Sequence, residues 1–61
     1  MATIIANKMP QTVTVSILNE DGHAVARRIG PHATLGPIED GQITSHVRRL
    51  VEQNHLRLRR A

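Results

Sequence analysis

The stretch Thr44 to Arg60, TSHVRRLVEQNHLRLRR, changes its hydrophobic period halfway along, and that change constrains what the rest of the chain can build. Ile43, Val47, Leu50 and Val51 fall at i, i+4, i+7 and i+8, with His46, Arg48, Arg49, Glu52 and Gln53 between them, which is the pattern of a helix with one apolar face. Leu56 and Leu58 then alternate with Arg57 and Arg59 at the period of a half-buried strand. Asn54 stands at the junction, where a residue that tolerates the left-handed conformation ends a helix. Thr44 is the expected N-cap, since its hydroxyl can accept from the unpartnered amides of the first turn; Asp40 is a competing start, weakened by Gly41. A helix of about two to three turns is marginal in water without tertiary packing, so this one is predicted to lie on a sheet, with Leu50 among its core residues.

The sheet comes from upstream. Across Gln11 to Leu18, Val13, Val15 and Ile17 alternate with Thr12, Thr14 and Ser16 in a β-branched run. Asn19-Glu20-Asp21-Gly22 suits a type I turn followed by a left-handed glycine, and His23 to Ile29 is the return strand. This loop sets Ile17 opposite Val25, Val15 opposite Arg27, Val13 opposite Ile29 and Thr14 opposite Arg28. Arg27 therefore sits on the apolar face. Either its stem passes the core edge and leaves the guanidinium in water, or it meets a carboxylate across an interface.

On either side of the hairpin the chain is less regular. Residues 1–10 read as an N-terminal arm or an edge strand, with Ile4 and Ile5 available to a neighbour and Pro10 ending the segment; residues 11–61 read as a single α+β mini-domain. Gly30-Pro31 breaks the return strand, and Ala33-Thr34-Leu35 is a further short strand that Gly36-Pro37 breaks again. Ile38 points to the core, and Glu39-Asp40-Gly41 turns the chain into the helix. The predicted fold is α+β: a small antiparallel sheet of three to four strands around a central hairpin, one short C-terminal helix packed on it, and a final strand.

Size makes that core thin. A 61-residue chain buries only about 60% of its unfolded surface, and this one has neither cysteine nor any aromatic residue to compensate. Oligomerisation is the remaining support. The charge is also divided: residues 1–40 carry three cations against four carboxylates, net −1, whereas residues 41–61 carry five arginines against Glu52, net +4. Seven of the eight cations are arginine, which favours paired contacts with carboxylates or phosphates. MATIIANKMP lacks a basic segment leading into a long apolar run, and no apolar stretch approaches about 18 residues, so neither secretion nor membrane spanning is expected.

The residues that carry chemistry elsewhere are scattered here. His23, His32, His46 and His55 lie nine, fourteen and nine residues apart, without the short fixed spacing of zinc ligands. The acidic pairs Glu20-Asp21 and Glu39-Asp40 fall in turns, no serine stands in an elbow motif, and the glycines are isolated. No enzyme, metal or other cofactor is expected. A basic nucleic-acid-binding module is the alternative function, because Arg48 and Arg49 on a helix followed by Arg57, Arg59 and Arg60 on a strand share the outline of a recognition helix and wing. The preceding helices of a winged-helix domain are missing, however, and no aromatic is present to stack on bases.

The hairpin, the corner Gly30-Pro31-His32-Ala33-Thr34, the capped ITSHVRRLV helix and the N-H-L-R-L closing strand together resemble small accessory virion proteins encoded among the head and tail genes of tailed bacteriophages and related prophages. The resemblance covers roughly residues 11–60 and rests on residue class. It implies a non-enzymatic structural or adaptor subunit at a neck, tail or capsid, assembled in the host cytoplasm into the virion and present in many copies. Its implied partners are further copies of itself and larger virion proteins with acidic surfaces. The residues expected to meet them are Arg57, Arg59, Arg60, Arg48, Arg49 and Arg27, with Ile4 and Ile5 of the N-terminal segment.

Overall fold

A computed structural model describes residues 2–61; Met1, the first residue of the expected arm, lies outside the described residues. Five strands, a 3-10 turn and one helix follow one another: β1 (Ala2–Asn7), β2 (Val13–Leu18), β3 (Ala24–Ile29), β4 (Thr34–Glu39), the turn Asp40–Gln42, α1 (Ser45–Glu52) and β5 (Leu56–Arg60). The fold is α+β. Its strands form two antiparallel sheets, one in the order β4-β1-β5 and one made of the hairpin β2-β3.

The hairpin has the register its alternation predicts, with Val13, Val15 and Ile17 opposite Ile29, Arg27 and Val25. Its loop is tied by Asn19, whose carbonyl accepts from the Gly22 amide at 3.0 Å and whose side chain accepts from the Asp21 and His23 amides at 2.9 Å each. Gly22 adopts φ 81°, the left-handed position of the loop. The hairpin is a layer of its own; among the described residues its one β-bridge to the remainder pairs Ile17 with Ile43, and side-chain bonds and core packing supply the other connections.

β1 departs from the expected arm or edge strand. It is the central strand of the three-stranded sheet, and Ile5 is fully buried (0% exposed). Ile5, Ile38 and Leu56 from this sheet meet Val15, Ile17 and Ile29 from the hairpin and Val47 from α1, so the core lies between the two sheets with the helix closing one side. Of the apolar helix positions Val47 is the buried one, whereas Leu50 and Val51 are half-buried at the core margin.

β4 also departs from expectation, since it runs through Gly36-Pro37 instead of stopping there. The pairing with β1 shifts between Thr3 and Ile5, leaving Gly36 and the cis-linked Pro37 as a bulge opposite Ile4. A proline without an N–H is tolerated because β4 is an edge strand. Gly36 has φ 125°, and a Cβ there would lie 2.9 Å from the Thr3 carbonyl oxygen, so both backbone and space call for glycine.

The helix ends are built by their sequence. Thr44 caps α1, accepting from the Val47 amide at 3.5 Å while its hydroxyl donates to the Ser16 carbonyl at 2.6 Å, which fixes the helix start to β2. Asn54 is left-handed at φ 68°; its amide donates to Val51 O and that of His55 to Leu50 O, both at 3.0 Å, the paired bonds of a Schellman ending. The Lys8 ammonium donates to the Asn54 side chain at 2.9 Å, anchoring this turn to the end of β1. Glu39 and Gln42 exchange side-chain and backbone bonds across the 3-10 turn that feeds the helix.

Candidate protein-binding face

Alternation along β5 separates its residues into two sets. Leu56 and Leu58 lie with Ile5 on the core side, whereas Arg57 and Arg59 are exposed on the outer side, opposite Ala6 and Ile4 of β1. Ile4 is half-buried and takes no part in the core, so an aliphatic strip of Ile4 and Ala6 runs beneath the two arginines on the outer face of the three-stranded sheet. β5 is an edge strand, and charges on such a strand oppose pairing with an identical edge.

Arg60 and Arg48 come together at the other side of β5. They line a pocket of about 230 Å³ with Thr3, Asp40, Ile43, Leu58 and Arg59. The Thr3 hydroxyl donates to the Asp40 carboxylate across this pocket. Arg49 is exposed in the last turn of α1, where its charge complements the helix C-terminus. In the isolated chain Arg27 is exposed beside a separate groove of about 340 Å³ that also touches Ile17, Leu35, Gly36, Pro37, Ile38 and Gln42. Ile5, expected at a partner surface, belongs to the core instead, because it stands on the face of β1 that packs against the hairpin while Ile4 stands on the other.

None of these arginines has a hydrogen-bond or ion-pair partner among the described residues. Among the described residues no group of three histidine or acidic side chains is placed to hold a metal ion, and no helix is long and apolar enough to cross a membrane. His46 accepts from the Ser16 amide through Nδ1 at 3.4 Å, a contact between helix and hairpin.

Asn7, which carries no signal in the sequence beyond its place before Lys8-Met9-Pro10, organises the support of this face. It is 3% exposed, and its Nδ2 donates to the carbonyls of Gln11 (2.8 Å), Gly30 (2.9 Å) and Ile29 (3.1 Å) while its Oδ1 accepts from the Met9 amide at 2.8 Å. One side chain thus joins the end of β1, the following turn and the end of β3. Comparison with protein families, with curated proteins and with solved structures found no match.

Proposed function

We propose that this protein is a non-enzymatic structural or adaptor subunit of a larger assembly, acting through protein–protein contacts. The observation that carries this is β5: an edge strand with Arg57 and Arg59 exposed on one face beside the strip of Ile4 and Ala6, their guanidinium groups without hydrogen-bond or ion-pair partners among the described residues. Arginine over aliphatic surface suits a docking face, because the stems pack on the apolar strip and the planar guanidinium forks engage carboxylates two bonds at a time. A core of seven aliphatic side chains without one aromatic supports the same conclusion, since a domain of this size gains stability from neighbours. The resemblance to accessory virion proteins makes a bacteriophage particle the assembly of choice.

Sizing the purified protein in low and high salt, with and without DNA, tests this against the nucleic-acid alternative. A self-association or partner complex that is indifferent to DNA is the expected result. A DNA-dependent shift in size that collapses steeply with salt would assign the arginines to phosphate instead.

A further inference from the structure

The pocket shared by Arg48 and Arg60 has the donors of an anion site and lies against an open strand edge. Its lining includes Ile43 and Leu58, both half-buried beside the core. Arg48 reaches it from α1 and Arg60 from β5, while Asp40 supplies the opposing charge, held by the Thr3 hydroxyl. The hydrogen bonds of β5 orient its main chain. Ala61 N donates to Ala2 O and Lys8 N to His55 O, so the odd-numbered residues of β5 bond to β1. By alternation the amides and carbonyls of Leu56, Leu58 and Arg60 point away from β1, and Leu58 and Arg60 both border the pocket.

We infer that this edge is a strand-addition site for an extended acidic segment of a partner protein, which pairs its backbone with Leu58 and Arg60 and places a carboxylate between Arg48 and Arg60. The next acidic residue of such a segment, on its opposite face, meets Arg57 or Arg59. A second copy of β5 is a poor occupant, because antiparallel pairing of LRLRR with itself sets arginine against arginine. Asp40 is a built-in competitor: it offsets one of the two guanidinium charges and holds the free site below its full affinity. The inference rests on the proposed role as a protein-binding subunit and assigns the partner's chemistry.

The test is a titration of the isotopically labelled full chain with a short peptide of adjacent glutamate pairs separated by threonines, which presents carboxylates on both faces of an extended strand, followed through the backbone amide resonances of the protein, with a thymidine oligonucleotide and inorganic phosphate as parallel probes. The peptide is expected to move the amides of Leu58, Arg60 and Arg48 and to saturate. Asp40→Asn keeps an acceptor for Thr3 and should tighten binding about two- to fivefold, whereas Arg48→Ser combined with Arg60→Ser should weaken it at least about fivefold, each with an unchanged far-ultraviolet circular dichroism spectrum. The gain from Asp40→Asn is an effect that misfolding does not mimic. Unchanged affinity in Asp40→Asn, no peptide binding, or tighter binding of the oligonucleotide than of the peptide would overturn the assignment. Peptide binding that is lost in Arg57→Ser with Arg59→Ser but kept in Arg48→Ser with Arg60→Ser would overturn the pocket while leaving the docking role of the outer face standing.

Discussion

Replacing Asn7 by alanine removes four hydrogen bonds from one 3%-exposed position. The Ile29 carbonyl is buried and loses its side-chain partner without access to water, a loss of about 1–3 kcal/mol. The Gln11 and Gly30 carbonyls and the Met9 amide are part-buried, and water recovers much of their bonding, leaving about 0.5 kcal/mol each at the low end of the net range. The sum is about 2.5–4.5 kcal/mol, against a total stability of about 3–9 kcal/mol for a domain of this length. With a urea slope near 1 kcal/mol/M the midpoint should fall by about 2.5–4.5 M. The chain has no tryptophan or tyrosine, so unfolding must be followed by far-ultraviolet circular dichroism. Asn7→Asp keeps the size and one acceptor but turns an oxygen toward three carbonyls, and it should destabilise at least as much as alanine. A midpoint within 0.5 M of wild type for Asn7→Ala, or tolerance of Asn7→Asp, would refute the role given to this side chain, the margin being well under the shift expected from the urea slope.

Leu56 is 1% exposed and Leu50 only half-buried, so Leu56→Ala should lower stability by about 2–5 kcal/mol and Leu50→Ala by clearly less; equal losses in urea unfolding would contradict the packing described. Gly36→Ala combines φ 125° with a Cβ 2.9 Å from Thr3 O and should cost about 1–3 kcal/mol or more, whereas Gly22→Asn, at φ 81° with nothing within 4 Å, should change the thermal midpoint little. Thr44→Ala removes both the helix cap and the bond to Ser16 and should cost about 1–2 kcal/mol, with Thr44→Ser restoring most of it in the same denaturation assay.

The hairpin was legible because its signals are local: a β-branched alternation fixes the face, and Asn19 to Gly22 fixes the register down to Val15 opposite Arg27. The helix was legible from Thr44 to Asn54 for the same reason. The place of β1 was not, because an alternating pattern shows which side chains share a face and says nothing of which strands lie beside them. A signal was nevertheless present. Ala2–Asn7 carries no charge, as suits a strand paired on both edges, whereas LRLRR carries three arginines, as suits an exposed one. In the sequence β4 reads as ending at Gly36-Pro37, because a breaker and a bulge look alike until the partner strand is known. Of the candidate site, Arg57 and Arg59 share a face as β-alternation dictates, while the meeting of Arg48 with Arg60 and the burial of Ile5 arise from long-range pairing. Asn7 was invisible because its partners, Ile29 and Gly30, are distant in sequence.

The proposed role of β5 as the contact strand is tested most directly by co-sedimentation of the wild-type protein and of a variant with Arg57, Arg59 and Arg60 all changed to serine with the particle fraction of the cells that make them. All three side chains are exposed, so the variant should keep the wild-type circular dichroism spectrum. The wild-type chain is expected in the particle fraction and the folded variant to be depleted from it. Equal recovery of the two in that fraction would contradict a docking role for these arginines.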